Sequence, residues 1–157
     1  MTSTANRIES RQSGSVLLPR LSVAYLMPGT SGFWGQGCPM QFGNYQFQFG
    51  GAPIGGSTIA MQQSNGPANA LSAHFFSLEL DAAGTTLTSG CSVYLPAASI
   101  LLGPTVFLDF GGSAATPFAV PSGFPGYLVV CQAAALDGSP LGFTLSNAAR
   151  DPSQART

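Results

Sequence analysis

Charge is what this sequence has least of. No Asp, Glu, Lys or Arg occurs between Leu21 and Leu78, and charged residues make up 7% of the chain against a usual share of about 25%. Lysine is missing altogether. A surface this neutral lacks the dispersed charge that keeps free-standing proteins apart. It suits a body covered by neighbours in a shell, a fibre or an oligomer. No run of residues approaches the ~18 consecutive apolar positions that cross a bilayer, so membrane insertion is not expected. The first nine residues are polar, and the apolar patch Val16-Leu17-Leu18 is broken by Pro19 and Arg20. A secretory signal is therefore not expected, and the chain reads as one made in a cytoplasm.

Catalytic equipment is equally sparse. His74 is the only histidine, so any Ser/His/Asp or Cys/His machine would have to use it. Its neighbours Ala73, Phe75 and Phe76 make it a packed or surface strand residue, and no G-x-S-x-G elbow is present. Glu79 and Asp81 stand two apart, where a turn role for Asp81 outweighs acid/base work. Three cysteines, one histidine and no close ligand pair argue against a transition-metal centre. Asp81, Asp109 and Asp137 are isolated turn residues rather than a calcium loop. Glycine-rich stretches lack the Lys of a phosphate loop. The expectation is no enzyme, no cofactor and no metal.

What the chain does have is alternation. Tyr45, Phe47 and Phe49 alternate with Gln46 and Gln48 before Gly50-Gly51-Ala52-Pro53, the period-2 pattern of a strand with three rings on one buried face. Leu21-Ser22-Val23-Ala24-Tyr25-Leu26-Met27 alternates in the same way and stops at Pro28-Gly29. Further strands are expected over residues 58–63, 73–80, 85–88, 92–95, 105–110 and 116–120, with a buried central strand over 127–135 and a last one over 141–146. Residues 97–102 are read as one helical turn before Gly103-Pro104. Turn signals at roughly 8–15-residue spacing and no amphipathic helix predict an all-β fold, an antiparallel sandwich or jelly roll with extended arms. The organisation expected is a flexible arm over 1–14, one domain over 15–148 and a tail over 149–157.

All five cations are arginines, and they sit in the tails: Arg7, Arg11, Arg20, Arg150 and Arg156. The body carries only Glu79, Asp81, Asp109 and Asp137. Because the aromatics lie in the body, ring and cation do not interleave, and nucleic acid is not an expected partner.

The order Gly37-Cys38-Pro39, Phe42-Gly43-Asn44, Gly90-Cys91-Ser92-Val93-Tyr94-Leu95, Tyr127-Leu128, Gln132-Ala133 and Leu145-Ser146-Asn147 resembles the glycine/proline-rich β-sandwich modules of large secreted proteins from planctomycetes and related bacteria. The likeness spans residues 35–148 and implies an extracellular-type sandwich without a catalytic role. It also suggests that Cys38 and Cys91 pair, while Cys131, inside Val-Val-Cys-Gln, reads as a small buried hydrophobe.

These readings lead to a non-enzymatic structural subunit, foremost a capsid decoration or cement protein on a virion surface. The alternative is an extracellular surface or filament module; a carbohydrate-binding module using Phe33, Trp34 and Tyr45 ranks third. Expected partners are other copies of the chain, as a trimer, and a larger protein shell or filament. Arg7, Ile8, Arg11, Val16, Leu17 and Arg20 are the expected partner-binding arm, and Phe33 and Trp34 the candidate interface or ligand aromatics.

Overall fold

A computed structural model of the chain describes residues 32–51, 54–88, 90–122 and 128–152. In chain order its strands are β1 (Gly32–Trp34), β2 (Pro39–Met40), β3 (Gly43–Asn44), β4 (Gln46–Gly50), β5 (Thr58–Ser64), β6 (Leu71–Ser77), β7 (Thr85–Thr88), β8 (Cys91–Val93), β9 (Leu101–Phe107), β10 (Ala114–Ala119), β11 (Leu128–Leu136) and β12 (Phe143–Pro152). A single 3-10 turn, Ala97–Ser99, is the only helical element among the described residues. The fold is all-β. A five-stranded sheet, in the order β1-β12-β11-β6-β9, faces a three-stranded sheet, β10-β5-β4, and two short ribbons pair β2 with β3 and β7 with β8. Every pairing is antiparallel.

The sandwich interior is built by matching large side chains to small ones. From the three-stranded side come Tyr45, Phe47, Phe49, Ile59 and Met61; from the five-stranded side come Cys131, Ala133, Ala135 and Ala149. Rings from one sheet fill the space that alanines leave on the other, which is how layers interdigitate at close-packed density. Gln46 and Gln48 point outward between the rings, as the alternation requires. Each buried ring stabilises the fold by roughly 1.5–3 kcal/mol. Phe47 and Phe49 also meet edge to face, with ring centroids 5.2 Å apart.

β11 is apolar on both faces because both are covered. While Cys131, Ala133 and Ala135 face the interior, Val130 packs on the outer side with Leu95 and Ala148. Gln132 is the polar exception on that outer side. Its amide donates to Ser92 O at 2.8 Å and Ser146 O at 2.7 Å, and accepts from Tyr94 N at 3.0 Å, which ties the β7–β8 flap to the sheet.

Three expectations need correction. The strand placed at 105–110 runs instead from Leu101 to Phe107, straight through Gly103-Pro104, and the helical turn shrinks to Ala97–Ser99. Proline is tolerated there because β9 is the outermost strand of its sheet. The tail expected from 149 belongs to the sheet as far as Pro152: Cys131 pairs with Ala149 and Val130 with Arg150. The strand expected over 21–27 and the arm residues Arg7, Ile8, Arg11, Val16, Leu17 and Arg20 lie outside the described residues.

Candidate functional site: an apolar groove and an open sheet edge

The two long sides of the sandwich are finished differently. On one side β12 lies beside β4, and a single side chain joins the sheets. Asn147 Oδ1 accepts from Phe47 N at 2.8 Å while its Nδ2 donates to Phe47 O at 3.0 Å. The amide thus supplies both hydrogen bonds that a paired strand residue would have made. Close by, Cys38 N donates to Leu145 O at 2.7 Å and Tyr45 N to Cys38 O at 3.0 Å. Cys38 is joined to Cys91 by a disulfide with Cα atoms 4.5 Å apart. Gly37 makes this approach feasible, because a Cβ there would come within 1.7 Å of Tyr45 O.

On the other side β9 and β10 are both outermost strands, and no strand joins them among the described residues. Phe76 of β6 stacks on Phe118 of β10, ring centroids 5.3 Å apart, and closes the interior there. β9 pairs with β6 through a bulge at Ala73/Phe75. Gly103 sits at that irregularity because a Cβ would meet the Phe76 ring at 2.3 Å. Three large apolar side chains of β9 are unprotected: Leu102, 70% exposed, and Phe107, 71%, on the outer face beside Phe75 and Leu71, and Leu101, 62%, on the other face beside Phe76. No charged residue guards the strand, and Pro104 is its one natural deterrent to pairing.

Around the corner, the outer face of the five-stranded sheet holds a groove of about 410 Å³. Leu71, Phe75, Val93, Ile100, Leu136 and Phe143 are among the side chains that line it. No charged side chain lines it, and Thr105 of β9 makes it continuous with the open edge. Most soluble monomers keep contiguous apolar surface small, and larger patches mark sites of association.

A buried polar chain backs this edge. Tyr45 Oη and Ser72 Oγ both donate to Gln63 Oε1, the latter at 2.6 Å. Gln63 Nε2 stands 2.7 Å from His74 Nε2, and His74 Nδ1 stands 2.8 Å from Pro104 O. A carbonyl only accepts, so Nδ1 carries the proton and Nε2 accepts from the glutamine: a neutral ring with both nitrogens satisfied. Burial pushes the His74 pKa down against a smaller opposing effect of the Pro104 carbonyl, and pushes the Tyr45 phenol up. His74 therefore fixes the outermost strand to its neighbour instead of presenting a base to solvent.

Of the candidate aromatics, Trp34 is packed rather than presented. Its indole N–H donates to Ala82 O at 3.1 Å and the Arg150 guanidinium lies 5.4 Å from its ring centroid. Phe33 is exposed and borders a second groove, about 490 Å³, with Gln46, Gln48, Gln62, Ser64 and Asp109. Tyr45, the third ring of the sugar-binding expectation, is buried in the core. Cys131 is a buried free thiol whose pKa burial raises. Sequence reasoning missed the open edge, although Pro104 inside an apolar run is itself a mark of an outermost strand. Among the described residues no helix is long and apolar enough to cross a membrane, and no three His, Cys, Asp or Glu side chains come together. Compared with family models, curated proteins and solved structures, the chain gives no match.

Proposed function

We propose that this protein is a non-enzymatic structural subunit that assembles through the β9 edge and the adjoining groove, and in particular that it decorates and cements a virion shell. One observation carries the reading: a strand with Leu101, Leu102 and Phe107 turned to solvent, beside an uncharged groove. An outermost strand of that kind is a template for pairing with another chain, and extended segments add to such edges through backbone bonds and side-chain pockets. The absence of Asp, Glu, Lys and Arg over residues 21–78 points the same way. A second reading, an extracellular surface or filament module, is favoured by the Cys38–Cys91 disulfide, since such bonds persist in oxidising compartments. Both readings use the same surface.

The test is native mass spectrometry and negative-stain imaging of the full chain across a concentration series, with and without whatever co-purifies. Wild type should associate, and Leu102→Asp should abolish association while leaving the melting temperature within a few degrees. A wild-type chain that stays monomeric at high concentration and attaches to nothing would refute the proposal.

A further inference from the structure

We infer that the open edge is completed by residues 21–27 of a second copy of this chain, laid alongside β9 with its apolar face turned toward the groove. The inference rests on the assembly reading above and names its partner.

Three observations converge on that occupant. The first is chemical fit. Leu21, Val23, Tyr25 and Met27 share one face of an alternating segment, and no charge occurs in it. The receiving surface is equally uncharged and offers Leu102 and Phe107 on the groove side of the edge, paired with Phe75 and Leu71, with Ile100 and Leu136 around the groove. A charged or highly polar segment would be desolvated there without compensation, which counts against the stretches around Arg7, Arg11 and Arg20, and Pro19 interrupts the short apolar patch Val16-Leu17-Leu18.

The second observation is reach. Trp34, Ala148, Gln132, Phe75 and Leu102 stand side by side across the five-stranded sheet, so β1 and β9 are its opposite edges. A strand added outside β9 is five strand spacings from β1, about 24 Å. Met27 is five residues before Gly32 and reaches at most about 18 Å from it. The same molecule therefore cannot place residues 21–27 along its own β9. A neighbouring molecule can.

The third is that the geometry is heterologous: the donor segment joins the chain at one edge of the sheet, and the acceptor is the other edge. Each copy carries one of each, so contacts propagate head to tail into a ring or a chain, as a shell-binding trimer or a filament requires.

The test uses two full-length variants. Val23→Asp with Tyr25→Asp spoils the donor and leaves β9 intact. Leu102→Asp spoils the acceptor and leaves the donor intact; Leu102 is largely solvent-exposed, so the variant should fold. Followed by analytical ultracentrifugation, each variant alone should have its self-association weakened by at least about tenfold, with an unchanged circular dichroism spectrum. Mixed in equal amounts, they should form a heterodimer that grows no further, because one donor and one acceptor remain. If the donor variant associates as wild type does while Leu102→Asp does not, the edge assembles without the segment; this inference falls and the assembly reading stands. If both variants dissociate but mixing gives no heterodimer, trans docking is likewise overturned. A wild-type chain that is monomeric throughout overturns the inference together with the reading beneath it.

Discussion

The β12–β4 side and the β9–β10 side of the sandwich enclose the same core with opposite chemistry. At the first, the Asn147 carboxamide bonds the two sheets to each other, and beside it a disulfide ties the Cys38 segment, seated between Leu145 and Tyr45, to the β7–β8 ribbon. At the second, a stack of two phenyl rings closes the interior, and the outermost strand keeps its leucines in solvent. The difference is one between a seam cross-linked by specific bonds and a side closed by packed side chains over a buried polar chain. The exposed leucines of the second side add little burial, while the buried chain from Gln63 through His74 to Pro104 holds the strand that carries them. A long apolar edge is a hazard that proteins ordinarily blunt with charge, so leaving it unguarded makes sense where another chain covers it.

That contrast can be broken at its strong side first. Replacing both Cys38 and Cys91 by serine releases a loop between residues 53 apart in sequence, which should cost about 4 kcal/mol in the chain-entropy model. The melting temperature should drop by roughly 10 °C, read by calorimetry. Asn147→Ala comes next. It leaves the Phe47 N–H and C=O without their partners in a buried place, an expected loss of about 3 kcal/mol, measurable as a lower urea midpoint. If either change proved neutral, the β12–β4 side would not be where stability resides.

A smaller effect should follow acidification. The native pKa of His74 lies below its ordinary 6.5, so the unfolded chain binds the proton more readily than the folded one. Stability is therefore complete above pH 6.5 and declines as pH falls from there through the depressed native value. Rotation of the Gln63 amide can turn Oε1 toward a protonated ring, which limits the loss. Urea unfolding between pH 7.5 and 5 should show the decline, and His74→Gln should flatten it. The smallest change in stability belongs to the open side. Leu102→Asp should move the unfolding free energy by no more than about 0.5 kcal/mol, since the side chain is mostly in water already. A large destabilisation there would mean that β9 is integral to the core and not an interface.

Much of this fold was legible because its signals are local. The Tyr45/Phe47/Phe49 alternation states which face is buried, and the run through Val129-Val130-Cys131 states a strand covered on both sides. What stayed hidden depends on distant partners. Asn147 in a strand says nothing of a bond to Phe47, a hundred residues away in sequence. Ala149 and Arg150 read as a tail by composition, yet they are held between β11 and β1. Trp34 is by sequence a candidate for an interface, a ligand or simple packing, and only the structure shows Ala82 and Arg150 engaging it within the domain. β9 was misread because Gly103-Pro104 is ordinarily a stop, and only an outermost position lets a strand continue through it.

The pairing of Gly32 with Arg150 has a mechanical meaning. Gly32, where β1 begins, and Pro152, where β12 ends, lie at one corner of the sheet on neighbouring antiparallel strands. Tension applied between an anchored arm and the other end of the chain would not load the hydrogen bonds of the sheet together. It would open the β1–β12 ladder one pair at a time, Gly32 first and Trp34 last, like a zip. Only three residues stand in that ladder, and the seam held by Asn147 and the disulfide lies beyond it. A pull applied at Gly32 would therefore be met first by surrender of a short strip, a lengthening of about 10 Å, before the sandwich bears the force.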